Sequence, residues 1–347
     1  MAGVVAAAPR EAGWVRVVLA TLAFLLVARA PGAQAVLPVV DTLLLLFPAL
    51  AACFVAGWVA GGPGGLAFAW VLMTAALLAL PASSGGASSH DVARAWGLLV
   101  AGSFGAVCVA GARGPFLRRA LAAAGFAIVG AGLLAGSAAI SLPAVARLFA
   151  AEFASRNAAT AAAFARWLPA VAARVPAAGE WAAARSLALG EASAAVAAPL
   201  APATLVLESL AACALAWTLY HRLSRTRLGP PLATLRAFTF GHQVVWALVA
   251  GGVLLAVPAL RGSSAALLGA NLVVLVGALF ALRGAGVAAW FVPVRRTAAQ
   301  IAAAVAAVAL APVTVPAALG LGVADNWLDW RGLARAATPG ASAPSTD

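Results

Sequence analysis

Residues 267–292 read LLGANLVVLVGALFALRGAGVAAWFV. This run is long and apolar enough to cross a bilayer, whose hydrocarbon core of about 30 Å takes about 20 residues of helix. It also carries one amide, Asn271, and one guanidinium, Arg283. A charged side chain at the centre of a spanning helix costs about 2.5 to 3.5 kcal/mol even on lenient insertion scales. Arg283 therefore needs a partner, a water-filled cavity or a route to the interface.

The rest of the chain supports the membrane reading. Of 347 residues, 64% are hydrophobic and 9% are charged, and the mean hydropathy is +1.02. A soluble domain carries about 25% charged residues, so a soluble fold is excluded. All 22 basic residues are arginine and alanine dominates the apolar positions, as in proteins from GC-rich bacterial genomes. The net charge of +12 does not mark a nucleic-acid binder, because the arginines cluster between hydrophobic segments and form no basic domain with interleaved aromatics. Cys53, Cys108 and Cys213 all fall in apolar runs, where cysteine acts as a small core hydrophobe.

Nine segments have the apolarity of spans: 14–30, 36–60, 65–80, 95–112, 121–142, 194–220, 241–260, 264–292 and 297–319. With the N-terminus inside, the inner connections collect Arg10, Arg16, Arg113, Arg118, Arg119, Arg222, Arg225, Arg227, Arg236, Arg295 and Arg296. The short outer loops hold Arg29, Arg94 and Arg261. Arginine in short loops sets orientation, so this asymmetry predicts a cytoplasmic N-terminus in a bacterial inner membrane. It leaves the tail outside with Arg331 and Arg335, unless the last segment is re-entrant or an earlier short one does not span.

The first segment has two readings. Arg10 and Arg16 precede a short apolar run ending in Ala33-Gln34-Ala35, which fits a signal-peptidase site. The next segment begins at once, which favours a retained helix. The long connection 143–193 is expected to be an extracytoplasmic amphipathic helix, with Phe164, Trp167, Leu168, Val171 and Val175 on one face and Arg166 on the other. Glu152 and Arg156 stand at an i, i+4 spacing that supports a helix there. Pro199 and Pro202 enter the sixth span, and Pro312 and Pro316 interrupt the ninth, where proline removes backbone hydrogen bonds.

Glu208 lies near the middle of the sixth span, and depth arithmetic at 1.5 Å per residue puts it within about 5 Å of the level of Arg283. The two are candidate partners, and with Asn271 they form the candidate intramembrane polar site. The pair reads either as a polar site for substrate or protons or as an ion pair that fixes packing; Arg283 can also snorkel alone. Asn271 suits a helix–helix hydrogen bond. His242, Gln243, Asp41 and Arg29 sit near the interfaces. Ser88, Ser89, His90 and Asp91 have a triad-like composition but read as a polar turn, and Gly61 to Gly65 (GGPGG) reads as a tight turn between spans. Gly57 with Gly61, Gly132 with Gly136 and Ala52 with Ala56 permit close helix contact, though such spacings arise by chance in so Ala- and Gly-rich a chain.

No HExxH, GxSxG, Walker A or CxxC motif occurs, and His90, His221 and His242 are scattered. The sequence therefore predicts no enzyme, no cofactor and no metal site.

The C-terminal third brings a basic loop RTRLGPPLATLRAFTF, a span with Trp246, the segment 267–292, and a proline-broken last span running into GLGVADNWLDWR. This order resembles the YybS-like family of predicted bacterial membrane proteins, whose function is not established. The resemblance covers about 194–331 and rests on Pro231, Trp246, Gly269, Asn271 and Gly284. That family is in turn distantly similar to substrate-binding subunits of energy-coupling vitamin transporters, which implies a small-molecule site in the bundle and a separate ATPase partner. The resemblance attaches no role to Arg283, so Asn271 is the more transferable of the two.

The expected protein is an all-α, polytopic helix bundle of eight to nine spans, a single membrane domain over 1–335 with a disordered tail over 336–347. Its expected partners are the lipid bilayer and either another membrane protein or an ATPase. Two roles follow: a transporter-like binding subunit, or a scaffold acting through helix contacts. The residues name no ligand.

Overall fold

The computed structural model describes residues 14–34, 36–39, 41–80, 87–111, 114–172, 176–292 and 297–336, and the side chains of 14, 31–32, 87–89, 142–143, 160–161, 163–172, 176–194, 297, 308–309 and 335–336 lie outside that description. The apolar face expected at Phe164, Trp167, Leu168, Val171 and Val175 thus falls outside the described side chains, as do Arg113, Arg295, Arg296 and the tail. All regular structure among the described residues is helical. The chain divides into two compact units, 1–232 and 233–347.

The first unit contains α1 (Trp14–Arg29), α2 (Pro31–Gln34), α3 (Leu43–Val59), α4 (Gly64–Ala79), α5 (Ala87–Ala110), α6 (Phe116–Ser137), α7 (Leu142–Ala172) and α8 (Pro176–Leu223). The second apolar segment does not form one helix, because Pro38 and Asp41 interrupt it. The Asp41 carboxylate accepts from the Leu43 N–H at 3.2 Å and so opens α3 at its first turn. Helix α3 then buries Leu44, Leu50, Cys53 and Phe54 against α5 and α8. An aromatic chain ties these helices: Phe54 meets Tyr220 edge-on with ring centres 5.2 Å apart, and Trp217 meets Phe104 at 6.2 Å and Phe116 at 5.9 Å. Ring pairs of this geometry add about 0.5 to 1.5 kcal/mol beyond area burial. Helix α7 packs along α8, which continues through Pro199 and Pro202. Residues 88–91 begin α5 and form no separate polar turn.

The second unit contains α9 (Val244–Ala256), α10 (Ser264–Phe291), α11 (Thr297–Ala309), α12 (Ala311–Leu328) and α13 (Trp330–Ala336), preceded by a 3-10 turn at Leu235–Ala237. Ser263 caps α10 by accepting from the Ala266 N–H at 3.3 Å. Two glycine pairs let α10 approach its neighbours. A Cβ on Gly269 would stand 2.8 Å from the Gly251 carbonyl oxygen of α9. A Cβ on Gly284 would fall 1.8 Å from the Ala318 carbonyl oxygen, and one on Gly322 would fall 1.9 Å from that of Phe280. Only glycine permits backbones this close. Phe280 is the centre of the unit's apolar core, with Val245 and Val276 around it.

Among the described residues four helical stretches are long and apolar enough to cross a membrane: His90–Ala110, Phe116–Ser137, Ala195–Leu223 and Ser264–Phe291. A fifth is present if α11 and α12 count as one span bent by 99°. The segments expected at 36–60, 65–80 and 241–260 are shorter apolar helices, Leu43–Val59, Gly64–Ala79 and Val244–Ala256. The unwound stretch before α3 shortens the first of these, and Pro258 follows the end of the last. Many large apolar side chains on these helices face outward, Phe126, Leu133 and Trp246 among them, as a surface bathed in lipid requires.

Candidate functional site

Arg283 in α10 lies deep in the second unit, and its carboxylate partner is Asp325 in α12, with Nε to Oδ2 at 2.8 Å. The same Oδ2 accepts from Nη2 of Arg331 in α13 at 2.7 Å. The side chains of Asp325, Arg283 and Arg331 are 0%, 5% and 3% exposed. Two guanidinium groups on one carboxylate leave the cluster with a formal charge of +1.

Each guanidinium nitrogen of Arg283 is engaged. Beyond the ion pair, Nη1 donates to Asn326 Oδ1 at 3.0 Å and to the Phe240 carbonyl at 3.4 Å, and Nη2 donates to the Asp325 carbonyl at 2.9 Å. The guanidinium also lies over the Phe240 ring, 5.4 Å from its centre, which adds a cation–π attraction. Arg331 Nη1 donates to the carbonyls of Arg236 and Phe238 at 3.0 and 3.2 Å. Asn326 Nδ2 reaches the His242 carbonyl at 3.5 Å.

These contacts follow a pattern. The acceptors are the carbonyls of residues 236, 238, 240 and 242, every second residue of the stretch leading into α9. The stretch includes the 3-10 turn at Leu235–Ala237, and four of its carbonyls face the cluster. Backbone carbonyls outside a helix need donors where water is scarce, and the two arginines and Asn326 supply them. The basic loop and the motif GLGVADNWLDWR, which the sequence places about 80 residues apart, thus meet across α10. Asp325 Oδ1 is buried and has no hydrogen-bond partner among the described residues.

Asn271, farther along α10, donates from Nδ2 to the Leu267 carbonyl one turn back at 2.9 Å. Glu208 belongs to the first unit. Its Oε2 accepts from the Val39 N–H at 3.3 Å, and its Oε1 is buried without a hydrogen-bond partner among the described residues. The residue is 4% exposed. The Arg283–Glu208 pair drawn from depth arithmetic is therefore replaced by two separate arrangements, each within its own unit.

The unwound stretch that meets Glu208 is also held by Arg156 of α7. Arg156 Nη1 donates to the Leu37 carbonyl at 2.8 Å and Nη2 to that of Pro38 at 2.9 Å. Its Nε pairs with Glu152 at 2.7 Å. The i, i+4 pair read from the sequence is thus present, and it orients a side chain whose task is to tie the 37–38 backbone. Sequence reasoning missed Asp325, Asn326 and Arg331. The available signal was the acid and amide side by side at the end of an apolar run, Ala324-Asp325-Asn326.

Cys53, Cys108 and Cys213 are buried and free. Among the described residues no group of three or more His, Cys, Asp or Glu side chains converges in a way that holds a metal ion. In comparison with known proteins, the family described as "Predicted membrane protein (DUF2232)" matches residues 133–326. The match spans more than half of the chain, takes in Arg283, Asp325 and Asn326, and stops short of Arg331. No curated protein and no solved structure matches significantly.

Proposed function

The chain belongs to the DUF2232 family of predicted membrane proteins, and from that premise we propose that it is a non-catalytic membrane scaffold or assembly factor acting through helix contacts. One observation carries the reading: Arg283, the costliest residue of its span, has every guanidinium nitrogen bonded to protein groups. A ligand-binding arginine needs donors left for the ligand. Here four of the five N–H donors are engaged by Asp325, Asn326 and two carbonyls, which holds α10, α12 and the 236–242 stretch in one arrangement.

The arginine distribution supports an inner-membrane protein with a cytoplasmic N-terminus. A count of eight crossings requires α3, α4 and α9 to be short, mismatched spans beside the four long helices and the bent pair, and a ninth requires α1 as well; bilayers accommodate such mismatch by local thinning at modest cost. In this reading residues 143–193 lie outside the cytoplasm. The partners are the bilayer and another membrane protein.

A second reading, a transporter-like small-molecule-binding subunit with a separate ATPase, is favoured by Glu208. A buried carboxylate oxygen without a partner is an available acceptor. Native mass measurement of the affinity-purified full chain separates the two. A membrane-protein partner retained in fixed stoichiometry without added ligand supports the scaffold. A chain that runs alone and is thermally stabilised by a small molecule, with the effect lost in Glu208→Gln, overturns it in favour of the subunit.

A further inference from the structure

In the first unit, Arg119 opens a different question from Arg283. It lies in the first turn of α6 beside Arg118, and that turn holds no acidic residue. The N-terminus of a helix carries about half a positive charge, so two cations there are unfavourable until an anion joins them. Arg119 is also buried, at 3% exposure. It forms no ion pair among the described residues. Nη1 donates to the Leu228 carbonyl at 2.6 Å, the guanidinium lies 5.2 Å from the centre of a Trp217 ring with the Cys108 thiol nearby, and Nε and Nη2 have no partner within hydrogen-bond geometry among the described residues.

Both donors stand beside glycines, and Arg119 itself lines one hollow. Nε stands 3.9 Å from where a Cβ on Gly114 would be, and Nη2 stands 3.0 Å from the equivalent point on Gly229. Gly114 lines a hollow of about 610 Å³ together with Gly111, Arg118 and Arg119. Gly229 lines a separate hollow of about 560 Å³ together with His221, Arg222 and Arg227, which Arg119 does not line. Gly229 has φ +151°, which a residue with a side chain rarely adopts, so the close approach to Arg119 is built into the loop. The first-turn N–H groups of α6 have no partner within the helix.

We propose that this end of the first unit binds a phosphate group, held by Arg119 Nε, by Arg118 and by the N-terminal N–H groups of α6. A helix N-terminus with forked guanidinium donors matches the several oxygens of a phosphate better than a single carboxylate. The site stands at the arginine-rich end that the charge rule assigns to the cytoplasmic face, where phosphate is offered both by anionic lipid headgroups and by free phosphate. It is independent of the scaffold reading, since neither Arg283 nor Asp325 contributes to it.

The test uses the full chain in neutral detergent, with thermal unfolding and titration as readouts. One arm adds inorganic phosphate against chloride at equal ionic strength; the other adds phosphatidylglycerol against phosphatidylcholine in mixed micelles. The expected result is a rise in Tm with a phosphate-bearing probe and affinity roughly tenfold weaker in Arg119→Gln, the loss of a charge-assisted hydrogen bond. A response to phosphatidylglycerol alone assigns the site to lipid, and a response to inorganic phosphate assigns it to a soluble ligand. Arg118→Gln, at an exposed position, carries the test if Arg119→Gln does not fold, and weakens binding severalfold. No response beyond the chloride and phosphatidylcholine controls, or a response undiminished in every folded variant, overturns the proposal.

Discussion

Asp325 holds Arg283 from 42 positions away in the chain, Oδ2 to Nε at 2.8 Å, with neither side chain more than 5% exposed. Removing the single acid leaves two buried guanidinium groups, Arg283 and Arg331, with no countercharge. Breaking a buried pair in this way costs about 3 to 5 kcal/mol. Asp325→Ala is expected to lower stability by that order in reversible unfolding from mixed micelles. Arg331→Gln leaves a one-to-one pair and is expected to cost less; an equal or larger loss would show that Arg331 is the main anchor.

The α10–α12 crossing depends on absent side chains. Gly284→Ala and Gly322→Ala each drive a Cβ to within 2 Å of a carbonyl oxygen, at 1.8 and 1.9 Å. Each is expected to lose folded yield in size-exclusion chromatography, at a cost of about 1 to 3 kcal/mol or more. Gly277→Ala is the control, because its nearest new contact is the Leu319 side chain at 3.9 Å. If all three behave alike, the crossing is not tight.

Glu208 holds the unwound stretch before α3 by one hydrogen bond to the Val39 N–H. Glu208→Ala leaves that N–H buried and unpaired, a loss of about 1 to 3 kcal/mol. Glu208→Gln keeps an acceptor oxygen and is expected to stay within about 1 kcal/mol of the parent. Thermal unfolding of the two variants decides it, and equal losses would mean that something other than the acceptor matters.

Arg156 ties the same stretch through the Leu37 and Pro38 carbonyls. Arg156→Gln is expected to expose it, at about 2 kcal/mol or more for charge-assisted bonds. A cysteine at Leu37 labelled by a water-soluble maleimide should react faster in that background. An unchanged labelling rate would place the restraint elsewhere.

The helical membrane architecture was legible because hydrophobic length and sparse charge leave no soluble alternative, and Arg283 was legible as a charge that needs compensation. Its partner was not. Depth arithmetic assumes straight, unbroken helices, and it selected Glu208 because that residue lies mid-span. Asp325 sits beyond a 99° bend between α11 and α12, so its distance along the chain from an interface says nothing of its depth. Arg331 was read as a tail charge that strained the topology, yet it is buried on Asp325 and is no loop charge. Gly269 and Gly284, which carried the family resemblance, are both points of backbone approach, so part of that resemblance reflects packing. The latch on residues 236–242 was hidden because acceptors in a backbone leave no trace in residue type.

The most direct test of the claim that Arg283 is consumed by a structural latch is a double-mutant cycle on Arg283→Leu and Asp325→Ala, read by reversible unfolding. The expected coupling is about 1 to 3 kcal/mol, with the double variant losing less than the sum of the singles. Additive losses within about 0.5 kcal/mol would contradict the account, because the two charges would then not depend on each other.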